Sequence, residues 1–229
     1  NNPNQIVRET GLQVHSLGGN TLKSNPSEWI DGAVDNGISQ LSLKDPSIAL
    51  KPISEEDLPE AKKAFDGMGV NEKLNFISGL ISKSKGHPNG ARIWGSVLGQ
   101  LGSGDQNYVA AGLAKMNGYG SDAGRPLATS IINGTQILKN KQLIMPKDAD
   151  LKSAFNSYVG NTVSGTSANN AYNVFRAVYA DTMEARNLQH DKADELPNKE
   201  VLKFALASAT GGVHQQSGTF KNYMGGKLE

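Results

Sequence analysis

From residue 54 onward, apolar residues recur at intervals of three and four, the spacing that lines one face of an α-helix. Ser54-Glu55-Glu56-Asp57 predicts the first start. Ser54 is placed to accept from a first-turn N–H, Asp57 to reach back, and the acidic turn suits the helix dipole. Leu58, Ala61 and Phe65 form the face of that helix, and Gly67 or Gly69 ends it. A second helix starts near Asn71, carries Leu74, Ile77, Leu80 and Ile81, and stops at Lys85-Gly86-His87-Pro88. Pro88 opens a third with Ile93, Trp94, Val97, Leu98 and Leu101, broken by Gly102-Ser103-Gly104. Asp105 caps a fourth, with Tyr108, Val109, Gly112, Leu113 and Met116. Pro126 starts a fifth, with Leu127, Ile131, Gly134, Ile137 and Leu138, and Met145-Pro146 closes the connection after it. Asp148 or Asp150 caps a sixth through Leu151, Phe155 and Tyr158.

Ser164-Gly165-Thr166-Ser167 leads into the longest helix, of about 20 residues, with a stripe of Tyr172, Phe175, Val178, Tyr179 and Met183. After a charged connector from Asn187 to Leu196, Pro197 or Asn198 begins the last helix. It carries Val201, Leu202, Ala205, Leu206 and Ala209, and Gly211-Gly212 ends it. Residues 1–53 read as an irregular N-terminal arm, with turns at Gly18-Gly19-Asn20 and Lys44-Asp45-Pro46. The arm holds one short helix, capped by Asn25 with Pro26 at its first position and Trp29, Ile30, Ala33 and Val34 on one face. Leu41, Leu43, Ile48 and Leu50 anchor the rest. Residues 213–229 form a C-terminal tail, with a small hairpin turning at Ser217-Gly218.

The predicted fold is therefore all-α, a multi-helix bundle of about eight helices over residues 54–212, flanked by the arm and the tail. Gly79, Gly112 and Gly134 fall inside predicted helices, where each costs about 1 kcal/mol against alanine. Close approach of a neighbouring helix is the compensation they predict. Ile77-Ser78-Gly79-Leu80 and Ala110-Ala111-Gly112-Leu113 stand 33 residues apart and hint at helix-pair repetition.

Composition narrows the chemistry. Among 229 residues there is no cysteine, which excludes disulfides, thiolate metal sites and cysteine nucleophiles. The net charge is +1 and the mean hydropathy −0.43. The chain as a whole therefore exerts no strong attraction on nucleic acid or an anionic membrane, and no apolar run approaches the length of a membrane span. His15, His87, His190 and His214 show no metal-ligand spacing, and no metal or cofactor is expected. The densest ligand-type cluster, His190-Asp191 with Asp194 and Glu195, reads as a solvated acidic linker. Gly95-Ser96-Val97-Leu98-Gly99 misplaces the serine of a nucleophile elbow. Gly118-Tyr119-Gly120-Ser121-Asp122-Ala123-Gly124 misses the dinucleotide fingerprint by one residue and reads as a helix–helix loop.

Glycoside cleavage needs two carboxyl groups about 5–10 Å apart. Glu184, Asp181 and Glu72 are the carboxylates to weigh, with Glu184 expected on a polar face beside Arg186. Basic residues are scattered without interleaved aromatics, and Trp29 and Trp94 read as core or interface residues rather than sugar platforms. No catalytic, cofactor-binding or metal-binding residue is assigned.

The sequence Ala110-Ala111-Gly112-Leu113 is followed by Ile131-Ile132-Asn133-Gly134-Thr135-Gln136-Ile137-Leu138-Lys139, then Met145-Pro146, then Phe155-Asn156-Ser157-Tyr158-Val159-Gly160. Ala177-Val178-Tyr179-Ala180 and Ala207-Ser208-Ala209-Thr210-Gly211-Gly212-Val213 complete the series. This order resembles a helical region of large virion proteins of tailed bacteriophages and prophages, of the internal virion, ejection or tape-measure-like kinds. Some of those carry a lytic transglycosylase domain elsewhere. Past Val213 a proline of that pattern is missing here, and no catalytic residue maps onto the chain.

The resemblance implies a non-enzymatic structural or ejection module. Its partners would be other virion proteins or its own copies, with peptidoglycan as a further expectation. It would reside in the virion, be made in the bacterial host cytoplasm, and be delivered toward the periplasm on infection. The alternatives are a peptidoglycan-cleaving domain without a recognisable motif, and a peptidoglycan- or DNA-binding accessory module. The absence of a first Met and the terminal Leu228-Glu229 read as a fragment of a longer chain ending in a tag remnant.

Overall fold

A computed structural model describes residues 16–18, 21–42, 49–117, 125–210, 214–216 and 219–221, the last two stretches as backbone. The expected turns at Gly19-Asn20 and Lys44-Asp45-Pro46, the anchors Leu43 and Ile48, the loop Gly118–Gly124, the stop at Gly211-Gly212, the hairpin turn Ser217-Gly218 and the terminal Leu228-Glu229 lie outside the described residues. The protein is all-α. It has ten helices among the described residues, all but the first of nine residues or more, and one antiparallel pair of short strands. The helices are α1 Thr21–Ser24, α2 Pro26–Leu41, α3 Leu58–Asp66, α4 Val70–Ser84, α5 Gly90–Leu101, α6 Asn107–Met116, α7 Leu127–Lys139, α8 Asp148–Val159, α9 Gly165–Ala185 and α10 Lys199–Thr210. The expected hairpin is present as β1, His214–Gln216, paired with β2, Thr219–Lys221. Among the described residues no helix is long and apolar enough to cross a membrane.

The chain divides into two compact units, Asn1–Val109 and Ala110–Glu229, with the division inside α6. Residue 53, the expected end of the arm, lies within the first unit. Where an irregular arm with a short helix is expected, α2 runs for 16 residues and packs on α4 and α5 of the first unit. Its start is as predicted: Pro26 stands at the first turn and the Asn25 side chain accepts from Glu28 N–H. Trp29, Ile30, Ala33 and Val34 are all buried. Trp29 meets Phe76, Phe76 meets Phe65, and Phe65 meets Tyr108 edge-on at 5.1 Å. Burial pushes the Tyr108 phenol up to about 12, helped by Asp105 and Asp66.

Residues 51–53 lie in the first unit with no strand beside them among the described residues, and side-chain amides take a strand's place. Gln40 accepts from Lys51 N–H at 2.7 Å and donates to Lys51 C=O at 2.8 Å. Asn36 donates to Pro52 C=O, and Gln100 both accepts from Ile53 N–H and donates to Ile53 C=O. At the buried Pro52 and Ile53 these bonds satisfy main-chain groups that would otherwise be left orphaned. The reciprocal capping box expected at Ser54 and Asp57 is only half formed. Ser54 Oγ accepts from Asp57 N–H, but the Asp57 carboxylate turns away to accept from Leu17 N–H and Ser16 Oγ. At the far end of α3, the buried Lys73 ammonium donates to Met68 and Asp66 carbonyls and lies over the Phe65 ring.

In the second unit α9 is the central element, with α7 and α10 packed on it and α8 on both α9 and α10. Its predicted stripe, Tyr172, Phe175, Val178, Tyr179 and Met183, is buried. Each such side chain contributes roughly 1.5–3 kcal/mol over an exposed one. A Cβ placed on Gly134 of α7 would lie 1.7 Å from the Ala177 carbonyl oxygen, so the two helix backbones meet there without room for a side chain. This is the close approach predicted for a mid-helix glycine. Gly79 is different, because its added Cβ would meet only the mobile tip of Ile30, at 2.9 Å. Asp148, expected as a cap of α8, is its first residue and serves tertiary contacts instead. It accepts from the Tyr172 hydroxyl and faces Arg176 and Lys152.

These environments predict opposite outcomes for one substitution. Gly134→Ala forces the α7 and α9 backbones apart and lowers stability by about 2 kcal/mol or more. Gly95 and Gly99 in α5 have nothing within 4 Å of an added Cβ. Gly95→Ala and Gly99→Ala therefore each raise stability by roughly 1 kcal/mol through helix propensity. Denaturant unfolding of the three variants checks the ordering.

Candidate functional site

The polar groups of the second unit converge where α7 crosses α9. Gly134 brings the backbones together, and Asn133, one residue earlier, faces the last turns of α9. Its amide nitrogen donates to Asp181 Oδ1 at 2.7 Å and to Glu184 Oε1 at 3.0 Å. Asp181 and Glu184 are three residues apart on one helix face, so a single amide holds both carboxylates side by side. Arg125, just before α7, sets a single guanidinium nitrogen against both oxygens, with Nη1 at 2.9 Å from Asp181 Oδ1 and 3.1 Å from Oδ2. Ser130 also hydrogen-bonds to this carboxylate. Asp181 is 2% exposed, whereas Glu184 is exposed. Burial pushes the Asp181 carboxyl above the ordinary carboxylate range, against the pull of Asn133, Arg125 and Ser130.

Two of the three carboxylates weighed from the sequence thus come together. The third, Glu72, belongs to the other unit and is exposed in the first turn of α4. There it borders a groove of about 660 Å³ between α2 and α4, floored by Ile30, Met68 and Phe76 and crossed by the Asp31–Lys83 ion pair at 3.3 Å. Glu184 is on the solvent side of α9, as expected, but the Arg186 guanidinium lies over the Phe204 ring.

His190 departs from its expected solvated linker. It is 7% exposed, and its Nε2 lies 2.7 Å from the Tyr179 hydroxyl. That hydroxyl also accepts from Asn198 N–H. On the other side of the ring, His190 Nδ1 lies 3.1 Å from Glu195 Oε2, where an ionised carboxylate accepts its proton. Burial raises the Tyr179 phenol, and the His190 hydrogen bond lowers the Glu195 carboxyl. The chain of bonds clasps the connector after α9 to the helix itself. Tyr179 is wholly buried, so the arrangement is built for holding rather than for reaching a substrate.

The remaining candidates resolve simply. His87 Nδ1 accepts from Asn89 N–H within its turn, and Ser96 Oγ donates to Arg92 C=O inside α5. Trp29 and Trp94 are core residues, 2% and 3% exposed. His15 lies outside the described residues, as does the side chain of His214. Among the described residues no three His, Asp or Glu side chains are grouped to hold a metal ion. Sequence reasoning missed the parts played by Arg125, Ser130 and Asn133, and the clasp of Tyr179, His190 and Glu195. No protein-family model matches the chain, and no curated protein and no solved structure resembles it significantly.

The two neighbouring carboxylates differ in what they support. Asp181→Ala leaves Arg125, Asn133 and Ser130 without their buried acceptor and lowers stability by roughly 2–3 kcal/mol. Glu184→Gln exchanges one exposed contact and stays within about 0.5 kcal/mol of the parent. Thermal or urea unfolding distinguishes them.

Proposed function

We propose that this chain is a non-enzymatic structural or ejection module of a phage or prophage virion-associated protein, assembling with its own copies or with other virion proteins. The observation that carries the reading is where the resemblance falls. It begins at Ala110, the first residue of the second compact unit, and runs through the helices of that unit. Its quoted residues include the packing positions of the unit: Ala111, Ile131 and Ile132, Phe155, Ala177 to Ala180, and Ala209 are all buried. Gly134, in the middle of the series, is the point of closest backbone approach. These coincidences support reading the resemblance as one of helix packing within the second unit.

One observation favours a second reading, a peptidoglycan-cleaving domain. Asp181 and Glu184 stand together, and burial raises one of them, the asymmetry on which paired acid–base catalysis relies. The bonding weighs the other way. Both Asp181 oxygens are engaged by Arg125, and the side chain is closed to a sugar-sized ligand.

The proposal is tested in particles purified from the bacterium that encodes the chain. Peptides of this chain are expected in the particles by mass spectrometry, and the isolated chain is expected to self-associate or to bind another particle protein in sedimentation velocity. Its absence from the particles, with a strictly monomeric chain that binds none of their proteins, would overturn the proposal.

A further inference from the structure

We propose that Asn89–Gly90 is a site of spontaneous covalent modification, where the backbone cyclises to a succinimide that opens to aspartyl and isoaspartyl forms. The inference is independent of the proposed function. Asparagine is followed by glycine at residues 36, 89, 117 and 133. Glycine in that place favours the chemistry, because no side chain hinders the approach of its amide nitrogen to the asparagine side chain. The dipeptide alone ranks these sites alike. The structure separates the three whose residues are both described, at 36, 89 and 133.

Asn36 and Asn133 are held shut. Asn36 is buried within α2, and its side-chain amide donates to Pro52 C=O at 3.0 Å. Asn133 lies within α7, with its amide shared between Asp181 and Glu184. The glycine after each is buried in the same helix. Asn89 is exposed, stands just ahead of the first residue of α5, and makes no side-chain capping bond to that helix. Bringing Gly90 N onto Asn89 Cγ turns the Asn89 carbonyl. The bonds that open with it are Gly90 N–H to His87 C=O, and Arg92 and Ile93 N–H to Asn89 C=O. That is fraying of a helix start. The same step at Asn36 or Asn133 breaks a helix in its middle and strips a bonded amide.

The step needs no reactant beyond water. A bond forms between Gly90 N and Asn89 Cγ, the Cγ–Nδ2 bond breaks, and ammonia leaves with the Gly90 amide proton. Water then opens the ring. Attack at Cγ gives aspartate. Attack at the main-chain carbonyl gives isoaspartate, in which the backbone runs through the side chain and is longer by a methylene. The fold receives the two products differently. Aspartate places a carboxylate at the N-terminus of α5, where the helix dipole favours it. Isoaspartate lengthens the chain beside Gly90, which is packed so closely that an added Cβ would lie 2.3 Å from the Ser84 carbonyl oxygen. The longer link has no room there and loosens the junction of α4 and α5.

The test is ageing of the full chain in mildly alkaline buffer at physiological temperature, both folded and in urea. Peptide mass spectrometry with electron-transfer fragmentation tells aspartate from isoaspartate. In the folded chain Asn89 is expected to convert roughly tenfold faster or more than Asn36 and Asn133, the factor that about 1.4 kcal/mol of local opening supplies. In urea the three should convert at comparable rates. The isoaspartyl form, separated by chromatography, should lose amide-exchange protection over residues 84–93, while Asn89→Asp keeps it. Folded-state conversion of Asn89 no faster than that of Asn36 and Asn133 would overturn the site, as would a ranking that urea leaves unchanged. Full protection of residues 84–93 in the isoaspartyl form, or its loss in Asn89→Asp, would overturn the effects assigned to the two products.

Discussion

The contact between Gly134 and Ala177 is the constraint from which the second unit is built. Two helices whose backbones meet without a side chain between them have little freedom in register. That register puts Asn133 opposite Asp181 and Glu184, and Ser130 opposite Asp181 one turn earlier. It also commits one side of α9 to α7 and leaves another for α10. The connector between α9 and α10 must then return along the helix, and the Tyr179–His190–Glu195 chain fixes it there. The glycine's helix-propensity cost, about 1 kcal/mol, is small beside the apolar burial this approach permits along α9.

The first unit solves a different problem. Among the described residues, residues 51–53 between α2 and α3 have no strand to pair with. Asn36, Gln40 and Gln100 supply the missing hydrogen bonds from two helices, so the connection is fastened by main-chain recognition. The aromatic series from Trp29 to Tyr108 fills the space enclosed. In both units polar side chains serve chiefly to satisfy buried groups and to fasten connections, which is the usual employment of amides and acids inside a helical protein.

The periodic features of this arrangement were open to sequence reasoning and the long-range ones were not. The buried stripes of α5, α9 and α10 follow from spacing, and the Asn25 cap and the role of Gly134 follow from local rules. The N-terminal helix is expected to be short, yet it continues past Val34 through Asn36, Gly37 and Gln40. Those polar residues are buried because their amides serve residues 51–53, a partner no periodicity reveals. Asp57 looked like half of a capping box because Ser54 stands three residues before it, yet its charge is used on Leu17, 40 residues away. His190 looked solvated because its sequence neighbours are charged. Its burial depends on a tyrosine 11 residues earlier on another element. Asp181 and Glu184 were legible as carboxylates to weigh, but not the Arg125 and Asn133 that occupy them.

On the proposed function, Asp181 and Glu184 of α9 serve the polar contact with α7 and do no chemistry. Muropeptide release from purified peptidoglycan by the folded chain, with Glu184→Gln alongside, tests it most directly. The account predicts no release above blank from either protein. Release by the parent that Glu184→Gln abolishes would contradict it and place an active site on α9.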